Sequence, residues 1–132
     1  MSFDWSKYTV LVVEDDKDMR MILLDVLTRK NIKTLSADNG SEALKILEEQ
    51  NVDFVLSDIQ MPVLNGVELL KRVRAKNPFI PIVLLATGES QITSDEAKAL
   101  GAADLISKPF KIKELLLKMQ SLIEAQFSQN CL

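Results

Sequence analysis

Apolar positions in this chain fall into short unbroken runs separated by longer stretches of helical period. Tyr8-Thr9-Val10-Leu11-Val12-Val13 is β-branched and aliphatic throughout, the mark of a strand buried on both faces. Met19, Ile22, Leu23, Val26 and Leu27 then recur at i, i+3, i+4, i+7 and i+8, which defines one helical face. Asp16 or Asp18 stands where a helix N-terminus favours acids, and Arg29 and Lys30 stand where a C-terminus favours bases. Lys33-Thr34-Leu35-Ser36 predicts a short, weak strand suited to a sheet edge, and Asn39-Gly40-Ser41 opens a second helix with Ala43, Leu44 and Leu47 inward. The run Val52-Asp53-Phe54-Val55-Leu56-Ser57-Asp58 predicts a third strand that carries one carboxylate at its tip.

The loop Met61-Pro62-Val63-Leu64-Asn65-Gly66 leads into a third helix, with Leu69, Leu70 and Val73 inward and Lys71, Arg72 and Arg74 in solvent. Ile82-Val83-Leu84-Leu85-Ala86 is another wholly apolar strand, ending in Thr87-Gly88. Thr93-Ser94-Asp95-Glu96 reads as a capping box for a short fourth helix that Gly101 closes. Asp104-Leu105-Ile106-Ser107 is a fifth strand ending at Lys108-Pro109. A last helix carries Ile112, Leu115, Leu116, Met119, Leu122 and Ile123 on one face, with a frayed tail from Ser128 to Leu132. Strands thus begin near residues 8, 33, 52, 82 and 103, each followed by a helix. This alternation predicts an α/β fold, a doubly wound (βα)5 parallel sheet with helices on both faces. Right-handed crossovers bring every strand's C-terminal end to one edge, where such sheets bind ligands.

Composition narrows the class. With 132 residues, 47% apolar and 27% charged, the chain is sized for one domain with its own core, about residues 8–126, between short tails. A net charge of −3 lacks the basic face expected of a nucleic-acid binder. The single cysteine, Cys131, cannot close an internal disulfide. No signal-peptide pattern and no apolar run of membrane-spanning length is present, so the expectation is a cytoplasmic protein that does not engage membranes. There is no histidine, which removes His-based acid–base catalysis and His-ligated zinc together.

What remains is carried by the strand tips: Glu14-Asp15-Asp16 after the first strand, Asp58 at the third, Thr87 after the fourth and Lys108 after the fifth. Taken singly, each has an ordinary reading, the acids as a helix cap and the lysine as a solvated loop residue. Jointly on one sheet edge they do not. Carboxylates held close together repel and raise one another's pKa values. A divalent cation relieves that, and all-oxygen ligands with open water positions suit Mg²⁺. A lysine can grip an oxyanion and a hydroxyl can donate to one. This is equipment for phosphoryl transfer onto Asp58, with Lys108 balancing charge.

Val12-Val13-Glu14-Asp15-Asp16, then Asp58-Ile59-Gln60-Met61-Pro62 with Gly66 beyond, Thr87-Gly88, and Lys108-Pro109-Phe110 resemble the receiver domain of two-component response regulators. The resemblance implies strand order 2-1-3-4-5 and a cis Lys108-Pro109 bond. It implies that Asp58 accepts a phosphoryl group from a phosphohistidine on a sensor histidine kinase or histidine phosphotransfer protein. Glu14, Asp15, Asp58 and the backbone carbonyl of Gln60 would hold Mg²⁺, with Thr87 and Lys108 reading the phosphoryl group. Glu89, two residues beyond Thr87, and Gln60 occupy places where the family tunes phosphoryl lifetime.

Two positions depart from the family's pattern. Glu14 stands where Asp is frequent, and Leu105 stands where an aromatic commonly rotates with the threonine. Coupling through the fourth helix and its loops is the expectation instead. Because the chain stops at the last helix, the resemblance is to stand-alone receivers of the chemotaxis or phosphorelay kind, not enzymes in their own right. Such a receiver acts on a downstream effector protein through the face of helix four, strand five and helix five, as a monomer or weak homodimer. A haloacid-dehalogenase-type phosphatase also phosphorylates an Asp after a strand, but it wants a second acid where this chain has Gln60. A flavodoxin-type binder wants a phosphate loop where this chain has acids. A receiver serving mainly as an assembly module is the closer rival. Phe3 and Trp5 are expected to pack on the underside of the sheet.

Overall fold

The computed structural model describes residues 3–59, 64–86 and 92–130. A 3-10 turn, Trp5–Lys7, precedes a strict alternation of strands and helices: β1 Thr9–Val13, α1 Lys17–Arg29, β2 Lys33–Ala37, α2 Gly40–Glu49, β3 Phe54–Asp58, α3 Gly66–Lys76, β4 Ile82–Ala86, α4 Ser94–Ala99, β5 Asp104–Ser107 and α5 Ile112–Asn130. The strands form one parallel sheet in the order β2-β1-β3-β4-β5. Strand order reverses between β1 and β3, so their C-terminal ends flank the switch-point crevice.

Alternate strand residues feed two cores. Leu11, Val13, Val55, Ile82 and Leu84 pack with Ala43, Leu69, Leu70, Val73 and Ala97, which places α2, α3 and α4 on one face. Val10, Val12, Phe54, Leu56, Val83 and Leu85 pack with Leu23, Leu27, Leu115, Met119 and Ile123, which places α1 and α5 on the other. All five residues of β3 and all five of β4 are buried. These are the runs with no polar alternation, as burial on both faces requires. Phe3, Trp5 and Tyr8 form an aromatic cluster against the α1–α5 core, the packing anticipated for the N-terminus.

Local signals end the helices where expected. Asp16 caps α1, Asn39 caps α2, Asn65 caps α3, and Thr93 with Glu96 forms the capping box of α4. Gly101 follows α4 at φ +106°, a conformation costly for any residue with a Cβ.

The structure corrects three expectations. Ile22 is 54% exposed, not part of the buried stripe. It lies about 100° round the helix from Leu23, and the sheet covers only the narrower arc of Leu23 and Leu27. Arg74 is half-buried instead of solvated, because its Nε donates to the Gly101 carbonyl at 2.7 Å and its Nη1 to the Asn77 carbonyl at 3.1 Å. α5 continues to Asn130, past the point where fraying was expected. Among the described residues, no helix is long and apolar enough to cross a membrane.

Candidate functional site

The acid triplet after β1 divides its labour. Asp16 turns back on its own helix, accepting from the Asp18 N–H at 2.9 Å and the Met19 N–H at 3.3 Å, so its carboxylate serves as the N-cap of α1. Glu14 continues the strand: its N–H donates to the Ala37 carbonyl at 3.1 Å, and the residue is fully buried. Arg20 of α1 reaches back and donates to the Glu14 carbonyl at 2.7 Å, which ties the first turns of the helix to the strand tip. Asp15 lies between them, exposed.

Asp58 is the last residue of β3 and is 5% exposed. Its backbone is held from two sides. The Ser57 hydroxyl donates to the Asp58 carbonyl at 2.9 Å, and the Ile59 N–H donates to Leu85 of β4 at 3.1 Å. Gly66, opening α3, closes against the same segment: its N–H donates to the Ile59 carbonyl at 2.8 Å, and a Cβ there would lie only 2.4 Å from the Asp58 carbonyl oxygen. The glycine after the proline loop is therefore required by close backbone approach. Leu64 in that loop rests on Gly40 of α2, where a Cβ would be 2.6 Å from the Leu64 carbonyl oxygen.

Lys108 follows β5. Its N–H donates to the Ala86 carbonyl at 2.6 Å, and the bond to Pro109 is cis, as the resemblance implies. Its Nζ donates to Glu14 Oε1 at 2.9 Å and stands 3.7 Å from Asp58 Oδ1, a distance of electrostatic attraction but not of a hydrogen bond.

Carboxylate oxygens of Glu14, Asp15 and Asp58 can all lie within 4.8 Å of one another. Among the described residues, two of the oxygens are buried without a hydrogen-bond partner, Glu14 Oε2 and Asp58 Oδ1. A buried unpaired carboxylate oxygen is costly unless something positive meets it. Burial, and then the adjacent Asp58 carboxylate, push the Glu14 carboxyl above its ordinary value, while Lys108 pulls the other way. Burial disfavours the Lys108 ammonium, but the hydrogen bond to Glu14 and the charges of Asp58 and Glu14 outweigh it and raise its pKa. One lysine thus leaves surplus negative charge. An all-oxygen donor set with orphaned buried oxygens fits a hard divalent cation such as Mg²⁺.

Of the residues singled out in the sequence, Glu14, Asp15, Asp58 and Lys108 come together at one sheet edge. Gln60, Met61, Pro62, Thr87, Gly88, Glu89 and Cys131 lie outside the described residues. Leu105 is half-buried and packs on the core under α3 and α4. Sequence reasoning missed Arg20 and Ser57. Both bond to backbone carbonyls, a partnership that leaves no side-chain pattern to read.

Comparison with known proteins matches this assembly. The model of the response regulator receiver domain family aligns with residues 10–120. The chain is 36% identical over 120 residues to Histidine kinase P4 of Formosa agariphila, covering 89% of this chain and 9% of that protein. It is 32% identical over 117 residues to the regulatory protein AtoC of Escherichia coli, covering 89% and 25%. The chain therefore spans a minor part of these curated relatives. The receiver domain of the Francisella response regulator 1452 superposes with a TM-score of 0.83 at 32% identity, covering 89% of this chain and 98% of that one. The chemotaxis protein CheY4 of Vibrio cholerae superposes at 0.80 and 33% identity, covering 87% and 98%. In sequence, strand order and the carboxylates gathered at the strand ends, the chain belongs to the response regulator receiver domain family.

Proposed function

We propose that this chain is a phosphorylation-activated switch in which Asp58 takes a phosphoryl group from a phosphohistidine on a sensor histidine kinase or histidine phosphotransfer protein. The observation that carries this reading is Asp58 Oδ1, buried at the end of β3 and without a hydrogen-bond partner among the described residues, between two further acids and Lys108. In the transfer, an Asp58 carboxylate oxygen bonds to phosphorus as the phosphorus–nitrogen bond breaks. The bonding pair stays on the imidazole nitrogen. Glu14, Asp15 and Asp58, with the Gln60 carbonyl, would hold Mg²⁺, which when bound offsets the charge gathered between carboxylate and phosphoryl oxygens. Lys108 balances the remaining charge from the β5 side, and Thr87 is the hydroxyl assigned to the phosphoryl oxygens.

The added charge changes what Lys108 pairs with, and α4 and β5 are the elements joined to that change. Support comes from a cluster centred on Asp104 of β5. It accepts from the Ser94 hydroxyl of α4 at 3.2 Å and from Lys118 of α5 at 2.6 Å, with Lys98 of α4 at 3.9 Å. Displacement of one of these elements is felt by the others, so the α4–β5–α5 face is the output surface presented to a downstream effector. With Leu105 in place of an aromatic, this polar coupling takes the place of a rotating ring. The chain acts in the cytoplasm as a receiver domain, as a monomer or weak homodimer.

The test is intact mass after incubation with Mg²⁺ and acetyl phosphate. One phosphoryl adduct is expected on the wild type and none on Asp58→Asn; equal gain by both sinks the assignment. Lys108→Ala should still take up phosphate but lose phosphorylation-dependent capture of its effector. Undiminished capture would remove Lys108 from the switch.

A further inference from the structure

Away from the carboxylates, α5 carries an apolar surface that the phosphoryl chemistry leaves unused. Leu117 is 59% exposed on this helix. It borders a hollow of about 390 Å³ whose walls are Trp5 of the N-terminal turn, Lys30 at the end of α1, and Ile112, Lys113, Leu116 and Gln120 of α5. Trp5, Ile112 and Leu116 are half-buried, so the floor is apolar and already formed. Phe3 meets Trp5 edge-on at 4.7 Å and stacks on Tyr8 at 5.4 Å, which fixes the indole as a rigid end wall.

The charge on this hollow is one-sided. Lys30 and Lys113 are both exposed, and neither makes an ion pair among the described residues. Among the described residues none of the walls is acidic, in a chain whose net charge is −3. Of the acids along α5, Glu114 follows Lys113 in the first turn without lining the hollow, and Glu124 accepts from Gln120 at 2.9 Å. This surface is separate from the α4–β5–α5 face, since Lys118 carries α5 across to Asp104 on its other side.

We infer that this hollow is a docking groove for an acidic amphipathic helix of a partner protein. Leucine-type side chains of that helix would enter between Trp5 and Leu117, and its flanking carboxylates would meet Lys30 and Lys113. An apolar floor supplies affinity, while two exposed lysines select the sign of the partner and speed encounter. A groove of this size gives a small, transient interface, suited to a module that must release what it binds.

Trp5 is the only tryptophan, so its emission reports directly on the groove. The probes are two synthetic helices with the same leucine face, flanked by glutamate in one and by lysine in the other. On the whole chain, the acidic helix should shift Trp5 emission saturably and bind about tenfold more tightly than the basic one, the sum of two exposed charge pairs. Leu117→Asp should abolish the shift and leave phosphoryl uptake unchanged, and Lys30→Glu with Lys113→Glu should invert the preference between the probes. Equal binding of the two helices, no saturable shift with the acidic one, or an emission shift with anionic lipid vesicles alone would overturn the inference. So would a Leu117-dependent dimer in sedimentation, which would assign the groove to a second copy.

Discussion

Glu14, Asp58 and Lys108 show how much one side chain's meaning depends on what it faces. Glu14 and Asp58 stand at the ends of apolar runs, where a charge has no part in the strand's own folding, and that contrast made them legible in the sequence. Their pairing was not: Lys108 hydrogen-bonds Glu14, a residue ninety-four positions away, and only approaches Asp58. Gly66 belongs to the same scale. Alanine there would drive its Cβ into the Asp58 carbonyl, so Gly66→Ala should cost about 1–3 kcal/mol as overpacking and shift the Asp58 backbone. The urea midpoint checks the first effect, and the rate of phosphoryl uptake at Asp58 checks the second. A variant that is both fully stable and fully reactive would show that the close approach has no consequence.

At the scale of elements, caps and periodicity located each helix and strand, because those signals lie within a few residues of one another. Long-range tethers escaped. Arg74 reads as one of three cations on the solvent face of α3, yet its guanidinium caps the turn between α4 and β5 through the Gly101 carbonyl. Removing it leaves that carbonyl without its charged donor. Arg74→Ala should cost about 1.5–3 kcal/mol, and amide exchange over residues 97–103 should quicken more than exchange in β1. Uniform quickening across the sheet would argue for a general loss of packing. Ile22 shows the converse limit. Its spacing fits a buried face, but the width of that face is set by the sheet beneath α1, which periodicity does not know.

Across the whole molecule, Asp104 joins three elements, and its titration should appear in the global stability. Burial pushes its carboxyl up, but the hydrogen bond from Lys118, the Leu105 N–H and the charges of Lys118 and Lys98 prevail and hold it below the ordinary 3.8. A carboxyl whose folded pKa is depressed contributes stability above its unfolded value and loses that contribution as pH falls through the folded one. The wild type should therefore exceed Asp104→Asn in unfolding free energy at neutral pH, with the gap closing below about pH 3.8. Denaturant titrations of both proteins between neutral and acid pH measure it. A gap that does not change with pH would remove the ion pairs from the account. The same variant tests the output surface, since freeing Ser94, Lys98 and Lys118 together should weaken phosphorylation-dependent effector capture.

By itself the sequence determined the number and order of elements, the parallel character of the sheet, and the acids and lysine delivered to its edge. These follow from short-range facts: β-branched runs, helical spacing, caps, and charges placed where strands end. Tertiary structure alone decided which of three consecutive acids became a helix cap, which carboxylate oxygens were buried, and which cations turned inward to backbone carbonyls. It also decided that the aromatic N-terminus and α5 would frame an apolar hollow under two exposed lysines. The reason is physical. Burial, desolvation and pairing are properties of neighbours in space, and residues such as Glu14 and Lys108 become neighbours only after the crossovers have folded the sheet.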